Sequence, residues 1–283
     1  MTLAAAVLGS TLAACGDEAP SARREGRPTA PDVTTTSRPS RVGQLPSLDD
    51  AASVALALVG AEEAIRGTDT PLEEYARLGR VQQASYRALV ADPAWLPEVV
   101  AIAPPAIRSS IERLTAAGRG LRELVGTPRD GPPDWEIVSP PPPDELRGYY
   151  RAAEQQSGVP WAYLAAIHLV ETRMGRIRGL STAGARGPMQ FLPATWDAYG
   201  EGDIESPRDA ILAAARYLQA NGAPARMADA LYRYNHSDRY VEAVTTYARE
   251  MESAEGVYLA FYHWQVYYLT TGGDLLLEEG WRR

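Results

Sequence analysis

Glu171 is the acidic side chain whose surroundings suit proton transfer. The segment 161–174 reads as a helix, with Pro160 at a first-turn position and Gly175 standing past the end. Counting back from Glu171 by three, four and seven gives His168, Ile167 and Leu164, and counting forward by three gives Met174. A carboxylate on that apolar face is partly desolvated, and in the last turn it meets the negative end of the helix dipole. Both effects raise its pKa toward the range where one group can give and take a proton near neutral pH. The competing reading is an ion pair of Glu171 with Arg173, Arg178 or Arg186 that only holds the next loop, and the helix taken alone favours that reading.

Other chemistries fit the residues less well. His168 and Glu171 are spaced as metal ligands can be, but there is no His-Glu-x-x-His, and only His236 and His263 remain. Gly179-Leu180-Ser181-Thr182-Ala183 misses the second glycine of a nucleophile elbow and follows a helix instead of a strand. Glu201, Asp203 and Glu205 form an acidic loop without the spacing of a calcium-binding hand. One of the three is a candidate second acid, which would position a water and make the chain a hydrolase. No metal and no cofactor is expected.

The residues after the helix change the balance. Ser181-Thr182-Ala183-Gly184-Ala185-Arg186-Gly187-Pro188-Met189-Gln190-Phe191-Leu192-Pro193 is a loop whose glycines permit positive φ or close approach to a ligand. With the preceding Val170-Glu171-Thr172, it resembles the signature of the lytic transglycosylases and goose-type lysozymes, a catalytic Glu followed by Ser-x-x-Gly-Ala-x-Gly-x-Met-Gln-x-x-Pro. Ala230-Leu231-Tyr232-Arg233-Tyr234-Asn235 resembles the family's Ala-Tyr-Asn segment, with Arg233 where alanine is usual. The resemblance spans about residues 144–256, and the Gly-Pro-Met-Gln-Phe form is similar to that of actinobacterial members.

The resemblance implies a mainly α fold, in which a lysozyme-like catalytic domain carries an additional N-terminal helical region. It implies a cleft for peptidoglycan glycan strands of alternating N-acetylglucosamine and N-acetylmuramic acid. Glu171 would protonate the bridging oxygen and then, as carboxylate, accept a proton from the muramic C6 hydroxyl, giving a 1,6-anhydro product. By the same analogy Ser181 would bond Glu171 or the acetamido group, and Met189 and Gln190 would line sugar subsites. Tyr234 would orient the carboxyl with Asn235 in support. Two alternatives stay open: a muramidase using an acid near 201–205, and a module that grips glycan without cutting it.

The elements that position these residues follow from composition. Residues 3–14 are an apolar stretch too short to span a bilayer, ending in Leu12-Ala13-Ala14-Cys15-Gly16. It reads as an export signal, and Leu-Ala-Ala-Cys resembles a bacterial lipobox, so Cys15 is expected to carry a lipid anchor to the membrane. No Lys or Arg precedes the stretch, and a start upstream of Met1 would supply the basic n-region. Residues 16–47 are poor in large apolar side chains and read as a disordered tether. Residues 48–127 read as a small helical region, with apolar spacing at Val54-Leu58 and Ile107-Ile111-Leu114. Prolines make 128–143 a linker, 144–256 is the lysozyme-like domain, and 257–283 is an aromatic-rich segment expected to pack on the fold. The net charge of -8 and the absence of a basic block exclude nucleic acid as partner. Oligomeric state has no signature.

Overall fold

The computed structural model describes residues 45–283, so Cys15, the signal at 1–15 and nearly all of the tether lie outside the described residues. Among the described residues the fold is mainly helical, as expected. α1 (Ala51–Arg66) begins at a reciprocal cap: Ser53 N donates to Asp50 Oδ1 at 2.7 Å and Asp50 N donates to Ser53 Oγ at 3.2 Å. α2 (Tyr75–Ala91), α3 (Leu96–Ile102) and α4 (Pro105–Leu124) follow, and Pro97 and Pro105 sit in first turns, where a missing N–H costs no intrahelical bond. Val54, Leu58, Ile107, Ile111 and Leu114 are all buried.

The second half is built from α5 (Pro143–Ser157), α6 (Trp161–Thr172), α7 (Pro193–Tyr199), α8 (Pro207–Ala220), α9 (Met227–Tyr234), α10 (Asp238–Ser253) and α11 (Glu255–Tyr262). α6 is apolar on nearly every side, with Tyr163 alone left partly exposed, so other helices surround it. It ends two residues sooner than its periodicity suggests. Arg173 and Met174 take φ of 54° and 62°, left-handed values that cannot continue a right-handed helix. α8 starts at Ser206, whose side chain accepts from Asp209 N, with Pro207 next.

α10 joins the halves, packing most extensively on α4 and next on α6. One apolar core runs from Val54 of α1 to Trp264 after α11. A buried polar network crosses it: Gln82 Nε2 and Tyr86 Oη donate to Glu62 Oε1, Trp264 Nε1 donates to Gln82 Oε1, and Arg66 bridges Glu62 and Glu250. Glu62 is fully buried, a position a carboxylate tolerates only with its bonds made.

Two short antiparallel ladders appear where no strand was read, in the 128–143 linker, the loop after α6 and the aromatic-rich segment. β1 (Glu136–Ile137) pairs with β2 (Ile177–Arg178), placing Ile137 opposite Ile177. β3 (Val266–Thr270) pairs with β4 (Gly273–Leu277). Trp135, Ile137, Ile177, Val266, Tyr268 and Leu277 close a second small core. The aromatic run therefore divides: Tyr258, Phe261 and Tyr262 belong to α11, Tyr267 and Tyr268 to β3. Two-residue strands are too short to show a period of two. Among the described residues no helix is long and apolar enough to cross a membrane.

Candidate active site

α6 delivers Glu171 to the end of a helix buried by its neighbours, leaving the residue 2% exposed. Oε1 of Glu171 accepts a hydrogen bond from Tyr240 Oη at 2.8 Å. Tyr240 is fully buried in the first turn of α10. Burial, and then the charge of Glu171, push its hydroxyl well above the usual tyrosine pKa, so Tyr240 stays a donor. Tyr234 lies parallel to it, ring centroids 6.3 Å apart and planes 6° apart, and donates its own hydroxyl to the Met189 carbonyl at 2.7 Å.

The loop after α6 is tied down bond by bond. Thr172 Oγ1 donates to the Pro188 carbonyl at 2.6 Å and accepts from Gly175 N at 3.1 Å. Ser181 Oγ accepts from Ala183 N at 3.2 Å and from Ala185 N at 2.9 Å, so in this structure the side chain closes its own turn. Arg186 and Phe191 exchange backbone bonds of 3.0 and 2.9 Å. Gly187 is required twice over. Its φ is +75°, and a Cβ there would lie 2.1 Å from the Ile204 carbonyl oxygen. Gln190 takes a φ of 51° and donates Nε2 to the Gly187 carbonyl at 2.9 Å. Met189 and Gln190 are buried.

The structure thus brings Glu171, Tyr234 and the 188–190 turn into one connected group. Ser181 acts on its own loop, and Asn235 caps α9 through its N–H to Leu231 O. The reading of the sequence passed over Tyr240, because no local pattern separates it from the other members of a set of 15 tyrosines. Of the three nearby arginines, Arg173 donates Nη1 to the Leu169 carbonyl at 2.6 Å, while Arg178 and Arg186 are exposed. His168 has its Nδ1 2.7 Å from Tyr150 Oη, and burial lowers its pKa to about 3, holding the ring neutral.

The acidic loop packs against the 181–191 turn through the Ile204 carbonyl. Glu201, 80% exposed at its side chain, sits 3.7 Å from Arg216. Asp203 Oδ1 accepts from Glu205 N at 2.9 Å, and Asp203 and Glu205 are exposed. Among the described residues no three His, Cys, Asp or Glu side chains group as metal ligands.

The site is thus a buried glutamate closing a core helix, held by a tyrosine and followed by a glycine-bearing loop, within a mainly helical, lysozyme-like domain. Residues 148–255 match the family model described as "Transglycosylase SLT domain". The matched segment is the one whose motifs resemble that family, and Glu171, Tyr234 and Tyr240 all fall within it. Over 120 residues it is 34% identical to the membrane-bound lytic murein transglycosylase F of Thiobacillus denitrificans, a stretch covering 40% of this chain and 24% of that protein. The chain therefore spans about a quarter of the length of that curated relative. No solved structure matches it.

Proposed function

We propose that the protein is a peptidoglycan lytic transglycosylase that cuts the β-1,4 bond between N-acetylmuramic acid and N-acetylglucosamine, with Glu171 as both acid and base. The observation that carries this reading is the Glu171–Tyr240 bond beside the 188–190 turn, inside the segment that matches the transglycosylase family. In the first step protonated Glu171 gives its proton to the bridging oxygen as the bond from that oxygen to C1 breaks. In the second, ionised Glu171 takes the proton from the C6 hydroxyl of the same muramic residue while its oxygen bonds to C1. The glutamate is protonated again and no water is consumed. A single carboxylate suffices where the substrate supplies its own nucleophile.

The Tyr240 hydroxyl supports both steps, since it holds the carboxyl in one orientation and strengthens its bond as negative charge develops. Met189 and Gln190 are proposed to line the sugar subsites with Ser181 and Asn235 behind them. Glycan strands are the substrate, reached by a chain exported and anchored through lipid on Cys15.

Purified peptidoglycan incubated with the protein and analysed by mass spectrometry tests this reading. Anhydro-muropeptides are the expected product. Reducing-end muropeptides would replace it with a hydrolase, and binding without release would replace it with a glycan-binding module.

A further inference from the structure

A cavity of about 120 Å³ lies between α2, α4, α10 and the β3–β4 hairpin. It reaches the residue that ends the catalytic helix, Arg173. Three arginines and one carboxylate line it. Arg87 and Arg122 share that carboxylate, Asp274, at 2.6 and 2.9 Å, and Arg87 also covers the Tyr267 ring at 3.5 Å. Arg173 differs. Among the described residues no carboxylate comes within ion-pairing distance of it, and its side chain donates from Nη1 to the Leu169 carbonyl.

Beside Arg173 stands Tyr247, which is 3% exposed. Among the described residues its hydroxyl has no hydrogen-bond partner. Burial raises that hydroxyl to about 12, against an opposing influence from Arg173, so it remains a donor at neutral pH. The Arg173 guanidinium and the Tyr247 side chain line one space. Beside the Arg87–Asp274–Arg122 group and Gln83, the wall carries apolar and aromatic side chains that include Leu114, Leu121 and Trp264, whose ring meets that of Tyr247 edge-on at 5.8 Å.

We infer that this cavity is a binding site for a small carboxylate with a flat apolar body, its carboxylate on Arg173 and Tyr247 and its body against Leu114, Leu121 and Trp264. The volume suits one ring, since a cavity on the order of 150 Å³ accepts a benzene. The charges explain why the occupant is an anion: three guanidiniums line the cavity against the single carboxylate of Asp274, and a charge-assisted bond from a guanidinium is among the stronger polar interactions. The site is separate from the glycan reading of Glu171 and does not depend on it.

Benzoate is the probe, titrated into the full chain and followed by calorimetry and ligand-detected NMR. One saturable site is expected, with benzyl alcohol binding at least about tenfold more weakly. R173Q is expected to weaken benzoate by about tenfold or more and Y247F by about threefold to tenfold, both with unchanged circular dichroism. V125W, which narrows the cavity without touching either donor, is expected to abolish binding and decides the matter if R173Q fails to fold. Equal affinity for benzoate and benzyl alcohol, or undiminished benzoate binding in Y247F and V125W, would overturn the assignment.

Discussion

The Tyr240 hydroxyl and the Glu171 carboxyl meet at 2.8 Å although 69 positions separate them along the chain. The bond spans two helices that pack directly, α6 and α10, and α10 in turn rests on α4 of the N-terminal half. The orientation of the candidate catalytic group therefore depends on the core that both halves build.

Removing that hydroxyl isolates its contribution. Y240F is expected to lower kcat by about tenfold to 100-fold with little change in KM, because the lost bond acts on the carboxyl and not on the sugar. Stability should fall by about 1–3 kcal/mol, the cost of removing one partner of a buried hydrogen bond. Turnover equal to wild type in a muropeptide-release assay would refute the positioning role.

E171Q keeps the shape and removes the transferable proton. Activity is expected to fall by at least about 100-fold, while thermal unfolding shows stability held or improved, since a neutral amide replaces a carboxyl that is 2% exposed. Loss of activity accompanied by loss of the fold would instead favour a purely structural Glu171.

G187A tests the loop. The methyl group would enter a left-handed backbone position and press on the Ile204 carbonyl, so the 181–191 turn must shift. A loss of about 1–2 kcal/mol in denaturant unfolding is expected, with a larger proportional loss of activity. An unchanged melting curve would contradict the close approach.

His168 predicts a pH dependence. In the unfolded chain its imidazole takes up a proton near pH 6.5, whereas burial in the native state holds its pKa down to about 3. Between those values the unfolded state binds more protons, so the stability His168 contributes is complete above about 6.5 and is lost as pH falls toward 3. The slope reaches at most about 1.4 kcal/mol per pH unit. H168Q should flatten the stability profile in that window relative to wild type, measured by urea unfolding from pH 7 to pH 4. Parallel profiles would show that the ring is solvated.

The sequence by itself determined the local elements around the site. The apolar face shared by Leu164, Ile167 and Glu171 and the 181–193 loop were both legible, because periodicity and glycine demands act over a few residues. Tertiary structure decided what those local signals cannot reach. The end of α6 at Thr172 is set by the left-handed pair Arg173–Met174, which the continuing apolar spacing conceals. Tyr240 rather than Tyr234 donates to Glu171, and the Tyr234 hydroxyl holds the Met189 carbonyl instead. Ser181 turns inward to its own loop. Both ladders formed across long separations, with Ile137 meeting Ile177. In each case the outcome depends on which helix packs against which, and a partner 40 or 69 positions away leaves no imprint on the spacing of nearby residues.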